Sequence, residues 1–128
     1  MSFLHNYNLP TVGGSVLNFQ DSVITKSSNL YFFNNTADTI VYYGYDIQND
    51  TYTHYLQNSV MEGNYGSAAV YTWRSSVVVD GCTIQSTGNG GTAVWFASSP
   101  PNLVKNSVIT GKKWREKGLK IKEILGMA

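Results

Sequence analysis

The feature that most constrains this chain is that it repeats itself. Displaced by 25 residues, the stretch Gly66–Ser86 falls on Gly91–Gly111 and keeps its apolar pattern. Ala69 meets Val94, Val70 meets Trp95 and Tyr71 meets Phe96. Further along, Val79 meets Val104, Gly81 meets Asn106, Cys82 meets Ser107 and Ile84 meets Ile109. A preceding copy, Leu56–Gly63, fits the same template at a displacement of 23. The length change falls between Gly63 and Gly66, where the later copy reads Thr87-Gly88-Asn89-Gly90. Length changes confined to a Gly/Asn-rich turn mark repeats built from strands and turns. Asp21–Thr25 carries the motif once more, and the 37 residues from Ile24 to Met61 fit either one repeat with an insertion or two short ones.

A period of 23–25 residues narrows the architectures. Helical repeats are longer and need a 3.6-residue periodicity, whereas Val77–Val79 and Ala93–Phe96 are short apolar runs bounded by Gly, Ser and Pro. Leucine-rich repeats need a ladder of Leu, and only Leu56 and Leu103 occupy matching columns. A solenoid of strands remains, each turn stacked on the last at the ~4.8 Å strand spacing. The segments VVVDGCTIQSTGNGGTAVWF and NLVKNSVITG, with Asn58, Gly81 and Asn106 at a recurring turn, resemble the right-handed parallel β-helix of the pectate-lyase-like superfamily over about residues 15–111. The resemblance implies an all-β fold, a short right-handed parallel β-helix of about four coils, with asparagines at the bend forming a side-chain ladder. It concerns repeat grammar, which is informative about fold and nearly silent about chemistry.

The columns carry further expectations. Ile24, Met61, Ile84 and Ile109 form one buried aliphatic row, and Ser22, Ser59, Cys82 and Ser107 form a neighbouring row of small side chains. Tyr71 and Phe96 stack as an aromatic pair. A solenoid this short has bare strand edges at both ends, which favours covering or self-association.

Charge divides the chain. Residues 1–111 hold three cations against six acids, whereas 112–128 hold six cations against two. The first segment is expected to be the β-helix domain. The second is expected to be a basic amphipathic C-terminal helix, with Trp114, Gly118, Ile121 and Leu125 on one face. That face caps the last coil; the alternatives are a docking element for an anionic surface or partner, or a segment foreign to the solenoid.

Most familiar chemistries lack their residues here. His5 and His54 stand apart with no ligand-like spacing, and Cys82 is the sole cysteine, so no zinc site or disulfide framework is expected. No metal ligand is assigned; Asp38, Asp46 and Asp50 in the irregular stretch leave a small opening for calcium or a carboxylate pair. No nucleotide-binding fingerprint is present, no cofactor is implied, and nucleic acid is not favoured as a partner. No apolar run approaches the ~20 residues that span a bilayer. Met1–Pro10 lacks the pattern of a secretory signal, which points to a virion-associated or cytoplasmic protein or a piece of a secreted chain. The column Gln57, Asp80, Lys105 reads as a cross-coil ion pair rather than an acid/base pair, and no catalytic residue is assigned.

The aromatic residues are more informative. Tyr42, Tyr43, Tyr45, Tyr52 and Tyr55 cluster in the irregular stretch, and Trp73 and Trp95 follow. Alternation cannot bury every ring of YYGY and TYTHY, so several face outward among Asn, Gln, Ser and Thr. Flat rings with hydrogen-bonding rims are what stacking on sugar faces requires. These seven residues are the candidate carbohydrate contacts; packing or an interface is the competing use of the same rings. The expected function is a structural or carbohydrate-contacting module without catalysis of its own. The family resemblance implies a part of a phage or virion fibre, spike or adhesin, with a glycan and a trimeric homo-oligomer as partners. The alternative is a fragment of a polysaccharide lyase or hydrolase of the same fold.

Overall fold

Three short runs per repeat, each bounded by Asn, Gly or Ser, become three strands per turn. The computed structural model describes residues 1–4, 6, 14–20, 25–44, 53–88, 90–97, 102–112, 114–117 and 121–124. In chain order the strands are β1 (Ser2–Leu4), β2 (Ser15–Gln20), β3 (Lys26–Ser28), β4 (Tyr31–Phe33), β5 (Thr39–Gly44), β6 (Thr53–Gln57), β7 (Val60–Glu62) and β8 (Ala68–Trp73). There follow β9 (Ser76–Asp80), β10 (Thr83–Gln85), β11 (Thr92–Ala97), β12 (Asn102–Lys105), β13 (Val108–Thr110), β14 (Trp114–Lys117) and β15 (Ile121–Ile124). Each pairs in parallel with the strand three places on, giving sheets ordered β1-β4-β7-β10-β13, β2-β5-β8-β11-β14 and β3-β6-β9-β12-β15. The turns β4–β6, β7–β9 and β10–β12 each place one strand in every sheet. The fold is therefore an all-β parallel β-solenoid of about three turns with further strands at either end, against the four coils expected.

The corner between the third and first sheets is the most regular. Asn29, Asn58, Gly81 and Asn106 occupy it in successive turns, all with φ between 49° and 70°. Gly adopts this left-handed region without penalty and Asn tolerates it best among residues with a Cβ. The next residue is Leu30, Ser59, Cys82 or Ser107, buried in each turn. The hydroxyls of Ser59 and Ser107 donate to the carbonyls of Gln57 and Lys105, both at 2.8 Å. Cys82 Sγ leans on the Leu56 and Asp80 carbonyls at 3.4 and 3.6 Å. Burial pushes its thiol pKa up to about 11.

Behind this corner the expected aliphatic row is present: Met61, Ile84 and Ile109 stand in register and are fully buried. Phe32 and Phe3 continue it, their rings stacked with centroids 4.6 Å apart. Ser22 and Ile24, assigned to these rows from sequence, lie outside the described residues, and the places next to Ser59 and Met61 are held by Leu30 and Phe32. Met61 pairs with Phe32, 29 positions earlier, so this repeat is enlarged to 29 residues. The enlargement falls between Gly44 and Thr53; in the next turn only Arg74 and Ser75 separate the equivalent residues Trp73 and Ser76.

A side-chain ladder forms, but at the corner between the first and second sheets. Asn35 Oδ1 accepts from the backbone N–H and side-chain amide of Asn6, at 2.9 and 3.0 Å. Asn64 Oδ1 accepts the same pair of donors from Asn35. The Nδ2 groups of Asn35 and Asn64 donate to the carbonyls of Phe3 and Phe32. Thr87 holds the next position and donates to the Gly66 carbonyl at 2.8 Å. At the bend where the ladder was expected, Asn106 instead donates to the Asp80 carboxylate at 3.1 Å.

One register differs from the sequence alignment. Between β8 and β11 Tyr71 pairs with Trp95, and Phe96 pairs with Thr72. The displacement is therefore 24 in this sheet and 25 between β9 and β12, where Val79 meets Val104. The expected Tyr71–Phe96 pair does not form, because a one-residue slip sends a side chain to the opposite face. Phe96 enters the core with Tyr43 and Ile40, and Trp95 turns outward. Of the segment expected as a helix over 112–128, residues 113, 118–120 and 125–128 lie outside the described residues; the backbone of Trp114–Lys117 and Ile121–Ile124 runs as β14 and β15.

Candidate functional site

The outer face of the second sheet carries the site. Parallel pairing in register stacks like positions, so Asn18, Tyr42, Tyr71 and Trp95 form one column across β2, β5, β8 and β11. Tyr42 and Tyr71 lie nearly parallel, with ring centroids 5.4 Å apart and 12° between planes. Trp95 meets Tyr71 edge-on at 4.9 Å and 85°. All three are half-buried. Such pairs contribute ~0.5–1.5 kcal/mol each beyond area burial, so the column is a rigid feature of the sheet. Gly44 makes room for it: a Cβ there would stand 2.4 Å from the Tyr42 ring.

Three or four residues back along the same strands are Asp38, Thr39, Ser15 and Ser67. Together with Asn18 and the three rings they line a groove of about 450 Å³. Ser15 Oγ and Thr39 Oγ1 are 3.2 Å apart, and Ser67 Oγ donates to Asp38 Oδ1 at 2.9 Å. The backbone fixes Asp38 as well: its N–H donates to the Gly14 carbonyl at 3.0 Å and its carbonyl accepts from Ser67 N–H at 2.7 Å. Burial, reinforced by the neighbouring Tyr71, raises the phenol pKa of Tyr42 above its ordinary value, so its hydroxyl stays a hydrogen-bond donor at neutral pH. The arrangement offers an aromatic wall, a carboxylate, an amide and several hydroxyls to one small molecule.

The aromatic residues singled out from sequence divide among four places. Tyr42 and Trp95 line the groove. Tyr43 is fully buried against Phe19 and His54, so it faces the core and not a ligand. Tyr55 sits on the third sheet beneath the Lys26 ammonium, 5.6 Å from the ring centroid. Trp73 ends β8, with the Arg74 guanidinium over its ring at 5.3 Å. Tyr45 and Tyr52 lie outside the described residues. Tyr71, Asn18, Asp38 and Ser67 were not among the candidate carbohydrate contacts; a displacement of 24 in place of 25 would have set Tyr71 beside Trp95.

The expected Asp80–Lys105 ion pair is present at 4.0 Å on the outer face of the third sheet, with Gln57 in the same column. Both partners are about a third exposed, which limits the pair to ~0–1 kcal/mol. Among the described residues no three His, Cys, Asp or Glu side chains gather as a metal site, and no helix is long and apolar enough to cross a membrane. Comparison with protein-family models, with curated proteins and with solved structures finds no match to the chain.

Proposed function

We propose that the solenoid is a carbohydrate-contacting module whose binding face is the Tyr42–Tyr71–Trp95 groove. The observation that carries this reading is the register: three aromatic side chains from successive turns sit over one another beside a rim of Asp38, Ser67, Thr39 and Asn18. A sugar presents an apolar face of C–H groups and an equatorial ring of hydroxyls, and this groove presents the complement of both. Its volume falls within the ~300–1,000 Å³ of small-molecule sites. The groove holds one carboxylate, Asp38, where acid/base cleavage of a glycosidic bond uses two. The solenoid in this reading is a rigid presenter of a binding surface, as in fibre, spike and adhesin modules, and does no chemistry itself.

A glycan array with purified protein, followed by titration of the hits against tryptophan fluorescence, tests the proposal. Wild-type protein is expected to bind a family of oligosaccharides and to show a change in Trp emission, because Trp95 lines the groove. Tyr71→Ala is expected to abolish both signals while Tyr55→Ala, on another sheet, leaves them in place. Binding that persists in Tyr71→Ala but is lost in Tyr55→Ala would move the site off this face and refute the proposal.

A further inference from the structure

The charge of the groove goes a step beyond a general affinity for sugars. Among the described residues that line it, none is Lys, Arg or His. Among the described residues Asp38 is the only ionic group lining the groove and no cation pairs with it; Lys105 and Asp80 pair on another sheet. By register, Arg115 on β14 extends the column beyond Trp95. Its backbone stands three strands from β5 in the sheet order.

The carboxylate is also positioned. Backbone bonds fix the residue on both sides and the Ser67 hydroxyl donates to Oδ1, which leaves Oδ2 without a partner among the described residues. The rings do not form a cage for a bare ammonium. Tyr42 and Tyr71 pack directly on each other and Trp95 closes edge-on against Tyr71, with no room between them. A cation must therefore arrive as a substituent on something that rests along the rings.

Resting on the carbohydrate reading above, we infer that the groove selects amino sugars: hexosamine units whose protonated amine meets Asp38 while the pyranose lies against Tyr42 and its neighbours. A charge-assisted hydrogen bond to a half-buried carboxylate separates the free amine from its acetylated counterpart by about tenfold. Uronic acids, which bring a second negative charge to an acidic groove, bind weakest of the three.

The test compares three oligosaccharides of equal length by calorimetry at mildly acidic pH and low ionic strength: a free-amine glucosamine oligomer, its N-acetylated form and an oligogalacturonate. Wild-type protein is expected to rank them in that order. Asp38→Asn keeps an oxygen to accept from Ser67, and an unchanged melting temperature shows that its fold is intact. In that variant amine and acetylated ligands are expected to converge, and the galacturonate to gain. Raising the salt is expected to weaken only the amine ligand. Equal affinities in wild type, or an amine preference that survives Asp38→Asn, overturns the inference while leaving the carbohydrate reading standing if Tyr71→Ala still abolishes binding. No binding of any neutral or charged glycan removes both.

Discussion

Replacing Asn64 by Ala attacks the buried amide ladder at its centre. Asn64 makes three side-chain hydrogen bonds: it accepts from Asn35 N–H and Asn35 Nδ2 at 2.9 and 3.0 Å and donates to the Phe32 carbonyl at 2.9 Å. Asn35 is fully buried and Asn64 is 3% exposed, so water cannot take over these partners cheaply. The substitution strands two donors on Asn35 and one carbonyl. Each unpaired buried group costs ~1–3 kcal/mol, and partial relaxation with bound water recovers some of that. The expected loss is about 3–4 kcal/mol, a large share of the ~5–15 kcal/mol that holds a domain together. Thr occupies the equivalent place in the next turn, so Asn64→Thr, which keeps an acceptor and a donor, is expected to lose roughly half as much. Equilibrium urea unfolding followed by circular dichroism measures both. With a slope of ~1.5 kcal/mol per molar, Asn64→Ala moves the midpoint down by about 2 M at constant slope. A shift below ~0.5 M, or equal shifts for Ala and Thr, would mean that the ladder is ornament and the packing of Phe32 and Met61 alone sets this corner.

Further outcomes are expected at Tyr43 and Cys82. Tyr43 buries its hydroxyl with no hydrogen-bond partner among the described residues, so Tyr43→Phe is expected to raise stability by ~1 kcal/mol by the same urea assay; a loss would place an unseen partner there. Cys82→Ser is expected to stay within ~1 kcal/mol of wild type, because Ser59 and Ser107 already fill that position in neighbouring turns. The thiol itself, raised to about 11 from 9.0, keeps its contribution to stability below pH 9 and loses it as pH climbs toward the folded value. Alkylation of native protein by iodoacetamide at pH 8 is expected to be far slower than alkylation in urea; equal rates would place the sulfur at the surface.

What the sequence disclosed and what it withheld follow from how each element is determined. The corner holding Asn58, Gly81 and Asn106 was legible because left-handed backbone restricts residue choice, and the row Met61, Ile84, Ile109 because it is aliphatic in three consecutive turns. The partnership of Tyr71 with Trp95 was not. Ala68–Tyr71 and Ala93–Phe96 are apolar throughout, so a displacement of 24 or 25 matches equally well, and only the hydrogen-bonded register separates them. The juxtaposition of Asp38 and Ser67 was not legible for a different reason. They belong to a corner whose lengths vary, and they become neighbours only when one turn settles on another. The ladder of Asn6, Asn35 and Asn64 was hidden by the common surface role of asparagine: nothing in a single copy marks Asn35 and Asn64 as interior.

The unequal spacers between the second and third sheets have a practical consequence. Residues 45–52 fill that passage in one turn, Arg74 and Ser75 in the next, and residues 98–101 in the third, yet the strands on either side keep their partners. Pitch is governed by the ladders while this edge behaves as a variable joint. Foreign peptides of several residues are expected to be tolerated there, because the sheets on either side keep their register whatever the length of the passage.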